Sequence, residues 1–310
     1  MAEQTIKELI YKAQTIGNIE PIEYMIPYPS TQALIEGQNI KFGDQIIYQD
    51  HNITNLDFYL LIQQTAHWLS EQGIKPKDNV IIEENEFPQA ELILFGLWHI
   101  GARGTVLEHE NVYVDKRLSL KTLDKETNLL DSVSSYPNNF QPEYKALLSE
   151  TAINIISDTG TIFLSHYGLL VNTNSIQKAL GLQPGTGLCC DISSNSSSWV
   201  VMKALLPIYS GCIYTQTKPS VVLTFNTIEQ AKGFQLREDW ENLDEFKGHH
   251  IGICTENSAA FCLGKIPMHL TDYKINDDEL WIKGHSIMNG YLDQNQNKTA
   301  FKNDYLIIQK

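Results

Sequence analysis

Hydrophobic and polar positions follow two different periods along most of the chain. From about residue 45, short apolar runs of strand length, such as "NVIIEE" and "INIIS", alternate with segments whose apolar residues recur every three or four positions. The clearest helical segment covers residues 53–73, where Thr54 and Asp57 can form a capping box and Gly73 can supply a left-handed final residue. This alternation predicts a parallel or mixed sheet, and therefore an α/β fold.

The pattern changes near the end of the chain. "DYKINDDELWIKG" predicts a hairpin that turns at residues 276–278, and "AFKNDYLIIQK" is consistent with a second hairpin. We therefore expect one domain with two parts, an α/β region at residues 1–265 and a β-rich terminal lobe at residues 266–310. Residues 115–145 are polar and irregular and predict a loop.

Composition narrows the class of protein. Of the 310 residues, 42% are hydrophobic and 19% are charged, which is typical of a soluble globular protein. The net charge of −14 disfavours nucleic acid and anionic membranes, since both attract clustered Lys and Arg. The N-terminus lacks the apolar core of a signal peptide, and the longest apolar run is too short to cross a bilayer. The five cysteines show no CxxC spacing. We therefore expect a cytoplasmic protein with neither a nucleic-acid nor a membrane partner.

One stretch in the middle of the chain, "INIISDTGTIFLSHYGLL", has the order of a phosphate-binding loop. An apolar strand is followed by a Ser/Thr/Gly turn at residues 157–161 and then by a possible helix start. Such a loop usually carries several glycines and a lysine, whereas this turn has one glycine and no lysine. The alternative interpretation is a polar turn between two strands.

Three stretches, taken in order, resemble the N-terminal domain of the adenylate-forming synthetases. This family includes acyl- and aryl-CoA ligases, peptide-synthetase adenylation domains and firefly-type luciferases. Residues 53–102 are similar to its helix, "G(V/I)xxGDxV" strand and "N…E…A…GA" helix, and residues 156–170 to its Ser/Thr/Gly/Lys loop and "SHxGLL" helix entry. Residues 263–304 resemble "GxPxxG…GELxVxGxxxMxGYxxxxxxTxxxF". The resemblance implies two α/β subdomains, the second reduced here, and a small β-rich lobe.

The resemblance also implies a chemistry and a set of site residues. In the family a carboxylate attacks the α-phosphate of ATP and expels pyrophosphate, and loop N–H groups, lysine and Mg²⁺ stabilise the triphosphate. Asn195 stands at the family's substrate-side position, and Glu256 is the residue that could hold Mg²⁺. The remaining implied nucleotide-binding residues come from the loop and from "IGICTEN", where the family has "YGxTE": Ser157, Thr159, Gly160, Thr161, Gly252 and Thr255.

The sequence departs from the family where the triphosphate would bind. The loop is about four residues short and lacks its lysine, and Asp158 adds a negative charge. Ile251 replaces a tyrosine, and the ribose-binding aspartate would fall at Lys310, so we expect the family's C-terminal domain with its catalytic lysine to be absent. Segments 108–153 and 211–252 are also contracted. Because losing one charge-stabilising group typically costs about 10² to 10³ in rate, the sequence argues against standard adenylation.

Three hypotheses follow from this pattern. The leading one is a pseudoenzyme that has lost ATP-dependent activation and retains a binding role, toward a carrier protein, an acyl or aryl ligand, or a partner synthetase. It needs no cofactor and has no catalytic residue. The alternative is an acid–thiol ligase that activates a small carboxylate with ATP and Mg²⁺ through Thr255 and Glu256, with a separate C-terminal subunit; ATP or AMP would then bind. The third is a self-associating structural component.

Other reactive side chains carry simpler expectations. We expect His166 to be a structural residue near a helix start. His249 and His250 are adjacent, so on a strand their side chains should point to opposite faces and form no shared metal site. Cys189 and Cys190 lie in an apolar strand without a neighbouring histidine, so we do not expect a nucleophile there.

Overall fold

Three β-sheets organise the chain in the computed structural model, which describes residues 4–21, 26–124, 128–227, 233–276 and 278–309. The α-helices are α1 (Ile6–Gln14), α2 (Thr31–Phe42), α3 (Asn55–Glu71), α4 (Gln89–Ile100), α5 (Leu129–Val133), α6 (His166–Leu180), α7 (Leu206–Ser210) and α8 (Gln294–Ala300). A π-helical segment, Trp199–Leu205, runs directly into α7. Within these described ranges, no helix combines the length and the apolar character needed to cross a membrane.

The strands are short and fall into sheets of five, nine and four. They are β1 (Ile46–Tyr48), β2 (Ile53–Thr54), β3 (Asn79–Ile81), β4 (Arg103–Leu107), β5 (Leu120–Lys121), β6 (Thr151–Ser157), β7 (Gly160–Ser165), β8 (Gly187–Asp191), β9 (Ile213–Tyr214), β10 (Val221–Thr224), β11 (Gly233–Arg237), β12 (His250–Ile253), β13 (Ala260–Leu263), β14 (Ile266–Pro267), β15 (Thr271–Asn276), β16 (Glu279–Gly284), β17 (Phe301–Lys302) and β18 (Tyr305–Gln309). Their spatial orders are β5-β3-β4-β6-β7, β14-β13-β12-β11-β10-β8-β9-β1-β2 and β15-β16-β18-β17.

The first two sheets form the predicted α/β architecture. In the first sheet, β5, β3, β4 and β6 run parallel, and β7 returns antiparallel beside β6. In the second sheet, the strands from β12 to β1 are parallel, with antiparallel strands at both edges. All of α4 is buried, as expected for a helix that is apolar on every side. Trp98 Nε1 donates to Ala152 O of the first sheet at 2.9 Å, which ties α4 to β6.

The local signals at both ends of α3 are confirmed. Thr54 Oγ1 accepts a hydrogen bond from the Asp57 backbone N–H at 3.0 Å, and Asp57 Oδ2 accepts one from the Thr54 N–H at 3.0 Å. These reciprocal bonds are the predicted capping box. Beyond the helix, Gly73 has φ +75°, the left-handed conformation predicted for it.

The third sheet contains both predicted hairpins. Strand β15 pairs antiparallel with β16, and β17 with β18. Asp277 in the predicted turn, and Lys310, lie outside the described residues. Helices α1 and α2 lie before residue 45, in the part of the chain for which the alternating pattern makes no prediction. Gln14 of α1 donates to Met288 O at 3.1 Å and Gln38 of α2 to Tyr209 O at 3.0 Å, so long-range contacts hold both helices.

Candidate functional site

The predicted phosphate loop is a tight turn between β6 and β7. Ser157 ends β6 and Gly160 begins β7, so only Asp158 and Thr159 connect the two strands. Gly160 has φ +128°, a conformation that favours glycine. The segment is therefore the polar strand-to-strand turn that the sequence allowed as an alternative, and Thr161 lies within β7.

The polar groups of this turn bond to one another and to α8. Ser157 Oγ lies 2.8 Å from Thr159 Oγ1 and donates to Gly160 O at 3.2 Å. Gln296 Nε2 of α8 donates to Thr159 O at 2.8 Å, and a Cβ on Gly160 would lie 3.0 Å from Gln296 Oε1. Leu292 N–H donates to Thr161 O at 2.9 Å. The hydroxyls of Ser157 and Thr159 are thus already engaged within the protein.

Glu256 lies in a 3₁₀ turn after β12 and is largely buried. Tyr291 Oη donates to Glu256 Oε1 at 3.0 Å, and Cys254 Sγ donates to Glu256 Oε2 at 3.4 Å. Burial, reinforced by the negative charge of Glu256, raises the pKa of Tyr291 and of Cys254, so both remain protonated donors. Both carboxylate oxygens of Glu256 therefore have a donor from the protein itself.

The turn and Glu256 share one cleft. Thr159, Glu256, Tyr291 and Gln296 line a cleft of about 510 Å³, and Lys302 on the exposed edge of the third sheet contributes a base. The structure therefore brings together two motifs that are about a hundred residues apart in the sequence. The side chain of Thr255, one residue before Glu256, is half-buried.

Carboxylates surround this turn. Desolvation and then the charge of Asp158 raise the pKa of Glu108, although its side chain is exposed, and Glu256 acts in the same direction. Desolvation and then Glu108 raise the pKa of Glu238. The nearby His109 Nε2 lies 3.0 Å from Asp158 Oδ1. Desolvation is the larger cause of both shifts, and the smaller contributions show that Asp158, Glu108 and Glu238 are close enough to repel one another.

The sequence matches no protein-family model, and no curated protein matches it significantly. Solved structures do match. The anthranilate CoA ligase AuaEII in complex with anthranoyl-AMP aligns at TM-score 0.71 and 12% identity, covering 93% of this chain and 75% of the ligase. Unliganded O-succinylbenzoate coenzyme A synthetase (MenE) from Bacillus subtilis aligns at 0.69 and 11% identity, covering 88% and 78%. The NpsA N-terminal subdomain from Klebsiella oxytoca aligns at 0.68 and 12%, covering 92% and 96%.

The chain has the fold of an adenylate-forming synthetase. The expected fold class is confirmed, including both α/β sheets and the small β-rich sheet that follows them. Sequence identities of 11–12% support a shared fold alone, so any chemistry of this chain depends on its own residues.

Two residues implied by the adenylate-forming pattern have clear structural surroundings. Gly252 is buried in β12, where a Cβ would lie 2.6 Å from Cys262 Sγ, so close packing of β13 explains the glycine. Asn195 is exposed after β8, and its Nδ2 donates to Glu108 O at 3.1 Å. Ser196, beside it, accepts from Trp199 N–H at 3.3 Å and caps the following helical segment.

Tyr291 and Gln296 are the site residues that sequence reasoning missed. Tyr291 stands in the "GY" of the third resembling stretch, but nothing local indicates that it would bond to Glu256, 35 residues earlier. Gln296 lies on a polar helix and belongs to no motif. Only the fold brings its amide against Thr159, 137 residues away.

The structure also describes the histidines and cysteines for which the sequence carried simpler expectations. His166 is buried with Nδ1 3.1 Å from Thr31 Oγ1, so the structural interpretation is confirmed. The expectation that the His249 and His250 side chains point to opposite faces of a strand was wrong, because His249 lies in a turn before β12 and the two ring centroids are 4.4 Å apart. Burial raises the pKa of the Cys190 thiol, which leaves it protonated and a poor nucleophile.

Proposed function

We propose that this chain is a pseudoenzyme on the adenylate-forming fold, which does not activate carboxylates with ATP and acts instead as a binding protein. The observation that carries the proposal is the turn at Asp158 and Thr159. Two residues connect strands where the family pattern has a longer loop with a lysine. The loop N–H groups and the ammonium that would stabilise a triphosphate are missing together, and each such group is typically worth about 10² to 10³ in rate.

Electrostatics supports the same proposal. Asp158 and Glu108 carry negative charge beside the position of the missing lysine. Two unit charges about 6 Å apart repel by roughly 0.7 kcal/mol in water and roughly 3 kcal/mol at an effective dielectric constant of 20. Each carboxylate near a bound triphosphate therefore opposes binding, whereas the family pattern supplies attraction there.

The surroundings of Glu256 argue against a ready Mg²⁺ site. The Tyr291 hydroxyl and the Cys254 thiol each take one acceptor site of the carboxylate, so a metal there would have to share Glu256 with both donors. Within the described residues, no group of three or more His, Cys, Asp and Glu side chains could hold a metal ion. The role that we propose for Glu256 is structural, because its bond with Tyr291 ties the turn after β12 to the segment before α8.

One observation favours the active-ligase alternative. Thr159 and Glu256 line the same cleft, and its volume of about 510 Å³ lies within the usual range of ligand pockets, about 300–1,000 Å³. An acid–thiol ligase acting there would bind ATP with Mg²⁺, and Glu256 would be essential for that binding. The two proposals therefore predict opposite results for a single titration.

That titration is calorimetric, with ATP plus Mg²⁺ and then with AMP, on protein shown to be folded. We expect no saturable heat from either nucleotide. Saturable ATP binding that is lost in Glu256→Ala and kept in Glu279→Ala would support the ligase alternative, because Glu279 lines the same cleft and serves as the matched control. An active adenylate-forming ligase, titrated in parallel, verifies the assay.

The proposed binding role has several candidate targets. A carrier protein, a partner synthetase and an acyl ligand all fit a protein that keeps the framework of this fold and loses its anion-handling groups. Co-elution of the chain with a carrier protein or synthetase in size-exclusion chromatography tests the first two. A separate cavity in the structure indicates a further class of ligand.

A further inference from the structure

A second cavity lies where α4 meets the segment that follows β8. Its volume is about 230 Å³, and its lining includes Phe87, Glu91, Ser194 and Lys203. Among the described residues, it shares no lining side chain with the cleft around Glu256. This space is large enough for several waters or one small organic molecule.

Glu91 gives the cavity an unsatisfied acceptor. Its side chain is only 1% exposed, and Trp199 Nε1–H donates to Oε1 at 2.7 Å. Oε2 is buried and has no hydrogen-bond partner within the described part of the chain. Ser194 Oγ, on the same lining, is likewise buried and unpartnered there. Burial raises the pKa of the Glu91 carboxyl because its ionised form has lost its hydration, so a cationic donor bound at Oε2 would stabilise the carboxylate.

Charge selects the kind of donor. Glu84 and Asp191 add exposed carboxylates to the lining, so that three acids face one base, Lys203. Lys203 Nζ already donates to the carbonyl of Ile192 at 3.2 Å and lies 5.6 Å from the Phe87 ring centroid. The excess of acids over bases favours a cation.

We propose that this cavity binds a small primary ammonium ion, whose N–H groups donate to Glu91 Oε2 and Ser194 Oγ. The lining is mostly polar, so the ammonium group, not an alkyl chain, is the part of the ligand that the cavity would recognise. An ammonium supplies three donors, which is enough for both unpartnered oxygens. The inference names a ligand for the proposed binding role, but it involves other residues than ATP binding and can succeed or fail separately.

The test uses n-butylammonium chloride as the probe and follows both calorimetric heat and tryptophan fluorescence, because Trp199 bonds directly to Glu91. We expect saturable binding. Tetramethylammonium carries the charge without N–H donors, and butanol matches the chain without the charge. Both should bind about tenfold more weakly or worse, since hydrogen bonds to charged groups are among the stronger ones.

Three variants locate the site. Glu91→Gln can still accept from Trp199 but loses the charge, and we expect at least about a tenfold loss of butylammonium affinity. Ser194→Ala removes an oxygen that has no partner in the described chain, so its melting temperature should be unchanged while affinity falls several-fold. Glu86→Gln, an exposed acid outside the cavity lining, is the matched control and should bind like the wild type.

Several outcomes would overturn the proposal. Folded wild-type protein that does not bind butylammonium would mean that the cavity holds water alone. Equal affinity for tetramethylammonium would mean that N–H donation is not recognised, and unchanged affinity in Glu91→Gln would place binding elsewhere. If Glu91→Gln does not fold, unchanged affinity in Ser194→Ala is the deciding contradiction. None of these results bears on the ATP titration, so failure of one proposal is distinguishable from failure of the other.

Discussion

Gly252→Ala tests whether this glycine is present for packing. The resemblance to the adenylate-forming family places Gly252 in a nucleotide-binding motif. In the structure its Cα faces the side chains of β13. A Cβ there would lie 2.6 Å from Cys262 Sγ and 2.7 Å from the nearest ring carbons of Phe261. Comfortable separations between non-bonded carbons are about 3.5–4.0 Å, so the neighbours would have to move by about 1 Å.

The expected cost follows from how little these neighbours can move. Cys262 and Phe261 are both fully buried, and β12 is paired on each side within the second sheet. Overpacking a filled core typically costs about 1–3 kcal/mol. At roughly 2–4 °C per kcal/mol for a large domain, the melting temperature of Gly252→Ala should fall by about 2–12 °C.

Urea unfolding and thermal melting, both followed by circular dichroism, measure this loss. Gly248→Ala is the matched control, because a Cβ at Gly248 meets no atom within 4 Å and its φ lies outside the left-handed region. The control should change stability by less than about 0.5 kcal/mol. If Gly252→Ala is as stable as Gly248→Ala, the packing argument is wrong.

Two further predictions concern stability. Asn172→Leu should cost about 1–3 kcal/mol in urea unfolding, because the buried Asn172 Oδ1 accepts from the Ala260 N–H at 3.0 Å and that donor would lose its partner. An unchanged unfolding midpoint would contradict this. Burial lowers the pKa of His99 and of His166 to about 4 each. The unfolded chain, with histidine pKa values of about 6.5, binds protons at a higher pH than the folded chain does. The free energy of unfolding should therefore be highest above pH 6.5. It should fall between about pH 6.5 and 4, by up to about 3 kcal/mol per histidine. Urea unfolding at pH 7 and pH 5 measures this decline in the free energy of unfolding, and His166→Gln should make the decline smaller. Equal stability at both pH values would refute the prediction.

Local signals predicted much of the fold. The capping box at Thr54 and Asp57 and the two terminal hairpins depend on residues within a few positions of one another, and all are present. Helices α1 and α2 have caps of their own, but long-range bonds such as that from Gln14 to Met288 hold them in place. The sequence offers no period or spacing that encodes such contacts.

The candidate site divides in the same way. The sequence shows that the loop lacks its lysine and most of its glycines, and the structure shows a two-residue turn at the same place. By contrast, the bond between Tyr291 and Glu256 and the bond between Trp199 and Glu91 join side chains 35 and 108 residues apart. In the sequence, Glu91 is a single acidic residue within an apolar helix, and only the folded structure places it at a cavity.

ATP–pyrophosphate exchange with the isolated chain tests the central claim most directly, because it reports formation of an acyl-adenylate whichever acid is activated. The assay combines labelled pyrophosphate, ATP, Mg²⁺ and a panel of small aliphatic and aromatic carboxylates. We expect exchange at the rate of the blank with every acid, since the turn at Asp158 and Thr159 supplies neither a lysine nor a longer loop to stabilise the reacting phosphates. Acid-dependent exchange that disappears in Glu256→Ala would contradict the account and establish a working ligase.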